Sequence, residues 1–175
     1  NSTPDFLVDL ATGEVVSNEE QRGRGRRSRT TQTRELARLA LAVQETRNLL
    51  LLRLLDPQLR EDPVLRTTLR IALHRGLGQV FQLEETELAT DELGSGEHLT
   101  LLFIEKAEGG LGVLRRLVDE PDALARVAQE ALRLCHFAPD TERPDCDGAC
   151  SECLLTYSSA RLARFLDRFA VRPVL

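Results

Sequence analysis

Three of the chain's four cysteines fall within eight residues, in the run CDGACSEC at 146–153, and the fourth is Cys135. The resulting spacing, Cys135-x10-Cys146-x3-Cys150-x2-Cys153, constrains the fold more than any other feature. Four thiolates about 2.3 Å from one ion form the closed tetrahedral site that structural zinc prefers. The short gaps supply a knuckle. Gly148 lets the chain curl, and Cys150 and Cys153 open a following helix, whose unpaired amides donate to sulfur. Cys135 ends the preceding helix, so a metal here clamps two helices across an irregular loop.

Two other uses of clustered thiols fit less well. Disulfide frameworks belong to small secreted chains. This chain has 175 residues, is rich in Leu and opens with no signal-peptide pattern. The C-x3-C-x2-C run also has the spacing of a radical-enzyme iron–sulfur motif. That motif carries an aromatic before its third cysteine, where this chain has Glu152, and only 22 residues follow Cys153. A fourth thiol is surplus to such a cluster and completes a zinc site. Structural Zn2+ is the expectation, with Cys135, Cys146, Cys150 and Cys153 as ligands. His136 adjoins Cys135 and could replace it as fourth ligand, though a complete set of four cysteines leaves it no vacancy. Arg133, Arg143 and Arg161 are the nearest cations to offset the thiolate charge.

Around the cluster the pattern predicts a mixed α/β domain (α+β), a small sheet flanked by helices. FLVDLATGEVV reads as a hairpin about Thr12-Gly13. Residues 17–30 follow, with Arg22, Arg24, Arg26, Arg27 and Arg29 and no apolar anchor. This stretch reads as a linker or loop, either solvated or pairing with phosphates. Residues 35–55 are ambiguous: ELARLALAVQE holds good helix formers, whereas NLLLLRLL is the continuous apolar run of a buried strand. Asp62-Pro63 marks an N-cap and first-turn proline, with Leu65, Leu69, Ala72, Leu73, Leu77 and Val80 on one stripe. EETELATDEL reads as an edge strand or exposed connection and HLTLLFIE as the clearest buried strand. Pro121 starts a helix with Leu124, Ala128, Ala131 and Cys135 in line. A last helix is expected from Leu154 to Phe169, using Leu162, Phe165, Leu166 and Phe169.

FIEKAEGGLGVLRR runs from strand through a glycine loop into a helix. Gly109, Gly110 and Gly112 either tighten that connection or present amides to a phosphate, with Arg115 and Arg116 one turn on. No Gly-Lys-Ser/Thr loop and no nucleophile triad is present, so this chain alone is not expected to be an enzyme. The formal net charge of −5 argues against a generally cationic nucleic-acid binder but leaves room for a local basic patch. Aromatics are few, one Tyr and six Phe, which argues against a base-stacking platform for single strands. No apolar run reaches membrane-span length, so a cytoplasmic, non-membrane protein is expected. The chain lacks Met and begins at Asn1, as a piece of a longer protein would.

In order along the chain, TRNLLLLRL, TLRIALHRGLGQVFQLEETELA, LLFIEKAEGGLGVLRRLVDEPDALARVAQEAL and CDGACSECLLTYSSARLARFLDR resemble the MrfA-like zinc-binding domain. The resemblance spans residues 46–168, which sets a boundary between 1–45 (hairpin and Arg-rich linker) and 46–175. That domain ends large DEAD/DEAH-box superfamily 2 DNA helicases and occurs in DrmB-type proteins of the DISARM phage-defence system. The resemblance implies a non-catalytic accessory domain that braces helicase motor domains, on the same or a separate chain, and helps engage DNA in repair or defence. The alternative is a protein–protein assembly module with no DNA contact. The family pattern continues with Asn-Gln after the tyrosine, whereas Ser158-Ser159 follow Tyr157 here.

Overall fold

The structure, a computed structural model, describes residues 6–16, 35–40 and 44–175. The chain divides into two compact units, residues 1–46 and 47–175. The arginine run from Arg22 to Arg29 lies outside the described residues.

In the first unit β1 (Phe6–Asp9) pairs antiparallel with β2 (Val15–Val16) and with β3 (Leu36–Leu39), in the order β2-β1-β3. The expected hairpin is present. Asp9 holds its turn: its carboxylate accepts from the Ala11 amide at 2.9 Å, and its carbonyl accepts from the Gly13 amide at 2.7 Å. β3 takes the sequence LARL into a strand despite its helix-forming residues, because pairing with β1 from Phe6↔Leu39 to Asp9↔Leu36 overrides local propensity.

The second unit is built on a three-stranded antiparallel sheet, β4 (Leu49–Arg53), β5 (Leu88–Leu93) and β6 (Thr100–Glu105), in the order β4-β6-β5. β6 is central and alternates, with Leu101, Phe103 and Glu105 fully buried. The NLLLLRLL run does form a strand, but an edge one: Leu49 and Leu51 are half exposed, so its continuous apolar character is not continuous burial.

Asp56 and Asp62 each cap a helix that begins with proline, the short α1 (Pro57–Glu61) and the long α2 (Pro63–Phe81). The Asp62 carboxylate accepts from the Val64 and Leu65 amides at 2.8 and 3.1 Å, worth about 1 kcal/mol. α2 is the spine of the core, with Leu69, Ile71, Ala72, Leu73 and Leu77 buried. After the glycine loop come α3 (Val113–Asp119) and α4 (Ala123–Leu134). The buried line of α4 is Ala123, Val127, Ala131 and Cys135: the last two are on the expected stripe, while Ala123 and Val127 replace Leu124, which is 46% exposed, and Ala128. Small residues on this line let α2 come close. A Cβ built at Gly76 would stand 2.5 Å from the Val127 carbonyl oxygen.

The expected continuous helix from Leu154 to Phe169 does not form. In its place stand turns, a 3-10 segment Ala160–Phe165 and the short α5 (Arg168–Val171). One cause is a threonine far away in sequence. The Thr68 hydroxyl donates to the Phe165 carbonyl at 3.1 Å and accepts from the Asp167 amide at 3.0 Å, taking both groups out of a helical ladder. A second is local: the Ser159 hydroxyl donates to the Leu154 carbonyl and accepts from the Thr156 amide, a serine turn that competes with helix.

Candidate metal centre

α4 ends in a Schellman closure. The His136 amide donates to the Arg133 carbonyl and the Phe137 amide to the Leu132 carbonyl, with Cys135 as the cap and His136 at φ 64°. Glycine normally fills that left-handed position, and a side chain there carries a cost of about 1 kcal/mol. The turn brings His136 to the knuckle. Its Nδ1 lies 2.9 Å from the Thr141 carbonyl, which can only accept, so Nδ1 carries the proton. Nε2 is then the lone-pair nitrogen, and it stands 3.2 Å from Cys150 Sγ. A backbone carbonyl that fixes the tautomer of a histidine is the usual support for a metal ligand.

His136 Nε2 and the sulfurs of Cys146, Cys150 and Cys153 all lie within 4.8 Å of one another. The sulfurs of Cys146 and Cys153 are 3.9 Å apart, against the roughly 3.8 Å edge of a tetrahedron with 2.3 Å zinc–sulfur arms. All four thiols are free, so no disulfide holds the knuckle. The Cys150 amide donates to Cys153 Sγ at 3.0 Å, and the amides of Glu152 and Cys153 point at Cys150. Burial opposes a Cys150 thiolate, but in the metal-free knuckle a proton on His136 Nε2, together with those amides, outweighs it and brings its pKa down to about 6; a metal ion takes that proton's place. Burial and then the neighbouring Cys153 push Cys146 up to about 12, and burial likewise raises Cys153. Coordination supplies the charge that lets such buried thiols ionise.

The donor set fits zinc. Three soft sulfurs and one imidazole make a four-coordinate set, three of its members are buried, and no place is left for water or substrate, the mark of a structural site. Cys135, expected as the fourth ligand, is outside this group. Its side chain continues the buried face of α4, and burial and then the neighbouring Cys153 push its thiol up to about 12, as at Cys146. His136, expected to find no vacancy, is the donor that stands with the three sulfurs, because the helix unwinds at it.

Sequence reasoning missed Arg168. Its guanidinium is buried and donates to the carbonyls of Cys146 at 2.9 Å, Cys135 at 3.0 Å and Arg143 at 3.3 Å, between the rings of Phe137 and Phe169. It therefore ties together the two ends of the loop that carries His136. Its position between Leu166 and Phe169, both on the predicted apolar stripe, was the available signal. Arg133 and Arg143 are paired instead with acids, Arg133 with Glu130 and Asp140, and Arg143 with Asp145 and Glu152.

The glycine loop has its own anion. Glu105, fully buried at the end of β6, accepts from the amides of Leu111 (2.6 Å), Gly112 (3.0 Å) and Leu114 (2.8 Å) and from Asn48 Nδ2 (3.1 Å). Burial alone would raise the Glu105 pKa, and these donors hold it below the usual value. In this arrangement the amides offered to a phosphate by the sequence pattern are engaged by a carboxylate of the same chain. Gly110 is required by close approach, since a Cβ there would stand 2.1 Å from Asn48 Nδ2. Gly109 and Gly112 adopt positive φ beside it. Arg115 and Arg116 lie on the exposed face of α3, paired with Asp119 and Glu120. Arg22, Arg24, Arg26, Arg27 and Arg29 fall outside the described residues.

No curated protein and no solved structure matches this chain. The family model of the MrfA Zn-binding domain matches residues 69–154, from the core of α2 through the glycine loop to the residue after Cys153. The match encloses the whole zinc-competent group, and residues 69–154 of this chain are similar to the MrfA Zn-binding domain.

Proposed function

We propose that the chain is a non-catalytic accessory module of a helicase-type protein acting on DNA. In it, a zinc ion held by Cys146, Cys150, Cys153 and His136 fixes the irregular half of the domain. The motor domains are its proposed partners, on the same polypeptide or another. The observation that carries this reading is the family match over residues 69–154, combined with a donor set that leaves no open coordination position. A closed site organises the chain and does not turn over substrate. No helix among the described residues is long and apolar enough to cross a membrane.

The half-exposed Leu49 and Leu51 on edge strand β4 favour the second reading, a domain that docks on another protein without touching DNA. One set of measurements separates the two. Purified chain is expected to carry about one zinc by atomic emission. It should hydrolyse no ATP by itself, and it should retain labelled DNA at about 50 mM salt and release it as salt rises. A metal-free chain purified without chelator refutes the zinc assignment. Failure to retain DNA at low salt refutes the DNA role and leaves the docking reading.

A further inference from the structure

Residues 154–175 carry four arginines, Arg161, Arg164, Arg168 and Arg172, and a single acid, Asp167. This surplus of +3 (four minus one) sits in a chain of formal net charge −5. Elsewhere in the second unit arginines are largely matched by acids, as Arg66 is by Glu92, Arg126 by Glu120 and Arg143 by Asp145. Among the described residues no carboxylate pairs with any of these four. Asp167 is turned to its own helix, where it accepts from the Phe169 amide at 2.9 Å. Arg168 is buried on backbone carbonyls, which leaves Arg161, Arg164 and Arg172 exposed to solvent.

Arg161 and Arg164 lie on the 3-10 segment Ala160–Phe165. Residues three apart in such a helix face the same way, about 6 Å apart along the axis, close enough for neighbouring phosphates of one strand. Arg172 lies 5.2 Å above the Phe137 ring and helps to line a cavity of about 300 Å³ with Phe137, Pro139, Glu142, Arg143 and Phe169. Just upstream stands the chain's one tyrosine. Tyr157 is 99% exposed, yet its turn is fixed. The Ser158 hydroxyl and amide both bond Glu85, and Ser159 bonds back to Leu154, the residue after the last cysteine. An aromatic ring held wholly in water on an anchored turn contributes nothing to the core and is preorganised for a flat partner.

We propose that this C-terminal segment is a binding surface for single-stranded nucleic acid. It rests on the DNA-acting reading above and locates the contact. Arg161, Arg164 and Arg172 pair with phosphates, for which guanidinium geometry is suited. Tyr157 stacks on an unpaired base, a contact that a base inside a duplex cannot offer.

The test uses the full zinc-loaded chain and fluorescein-labelled dT20, with anisotropy measured across a salt series. Removing one arginine–phosphate pairing on a single strand lowers the salt slope by about 0.7, so Arg161→Gln/Arg164→Gln/Arg172→Gln should lower it by about 2. Tyr157→Ser should weaken binding about 10-fold at constant slope, and Tyr157→Phe should restore it. All four side chains are exposed, so melting temperatures should not move. Binding that is unchanged in these variants overturns the surface while leaving the DNA role standing; neutralising Arg22 to Arg29 then finds the true contact. No binding by the parent chain at about 50 mM salt overturns both. Equal displacement of dT20 by poly-glutamate at matched charge makes the surface an acidic-protein site and overturns the nucleic-acid assignment.

Discussion

Glu105→Gln is the sharpest perturbation of the fold around the glycine loop, because it changes charge and hydrogen bonding at nearly constant volume. The wild-type carboxylate accepts four bonds, three on Oε2 and one on Oε1, at 2.6–3.1 Å. A glutamine placed with its oxygen toward Leu111, Gly112 and Asn48 turns its amino group against the Leu114 amide. That leaves one buried donor unsatisfied, at about 1–3 kcal/mol, and reduces three charge-assisted bonds to neutral ones, at up to about 1 kcal/mol each. Relief of the buried charge's desolvation offsets part of this. The net loss is about 2–4 kcal/mol, a large part of the roughly 5–15 kcal/mol that holds a domain folded. At about 4 °C per kcal/mol for a unit of this size, the melting temperature should fall by about 8–16 °C at pH 7. The pH dependence follows from the lowered pKa. Stability contributed by this carboxylate is fully present above its unfolded value, near 4.5, and is lost as pH falls through the lower folded value. Calorimetry of both proteins from pH 7 to pH 3 should therefore show the gap closing below about pH 4.5. Zinc loss in acid is common to both and cancels in the difference. Melting points within about 2 °C of each other at pH 7, or a gap that stays constant down to pH 3, would overturn this account of Glu105.

Two further substitutions test other parts of the molecule. His136→Ala should speed zinc release to a chromogenic chelator about 10-fold or more, whereas Cys135→Ala should keep about one zinc per chain and its release rate; the opposite order would return the fourth ligand to Cys135. Gly76→Ala, whose Cβ would meet the Val127 carbonyl oxygen at 2.5 Å, should cost about 1–3 kcal/mol in chemical denaturation. Gly78→Ala, only 3.6 Å from the Leu83 carbonyl oxygen, should be neutral or stabilise by up to about 1 kcal/mol, and equal costs would sink the close-approach account.

What the sequence disclosed was what local chemistry decides. Asp62-Pro63 caps α2, the Thr12-Gly13 turn closes a hairpin, HLTLLFIE is the central strand, and thiols at knuckle spacing do gather. What stayed hidden was decided at a distance. Thr68 breaks the expected last helix from 97 residues away, and pairing with β1 turns LARL into a strand. The choice between Cys135 and His136 depends on which residue falls just past the last helical turn, and boundaries are where periodicity is weakest. Glu105 was readable in principle. Period two from Leu101 and Phe103 puts it on the buried face, and a buried acid facing a glycine loop calls for donors.

The ligand set found in the structure changes the charge argument as well. Four thiolates around Zn2+ would leave a formal charge of −2, whereas three thiolates and a neutral imidazole leave −1. One buried cation balances that, and Arg168 is the buried cation beside it, bonded to the carbonyls of Cys135 and Cys146 on either side of the His136 loop. Arg168 thus closes the loop through its backbone, and a metal on the donor set would close it a second time through its side chains. Neither closure draws on Arg161, Arg164 or Arg172. Because Arg168 begins α5 and Tyr157 follows the knuckle by four residues, the segment that carries Arg161 and Arg164 is held between the knuckle and Arg168, and Arg172 follows α5 directly. The core that holds Leu69, Leu73, Leu77, Leu101 and Phe103 also takes in Cys146, Cys153, Leu154, Leu166 and Val171. A metal at this knuckle would therefore bear both on the geometry of the basic C-terminal surface and on the core that this segment shares with the sheet and α2.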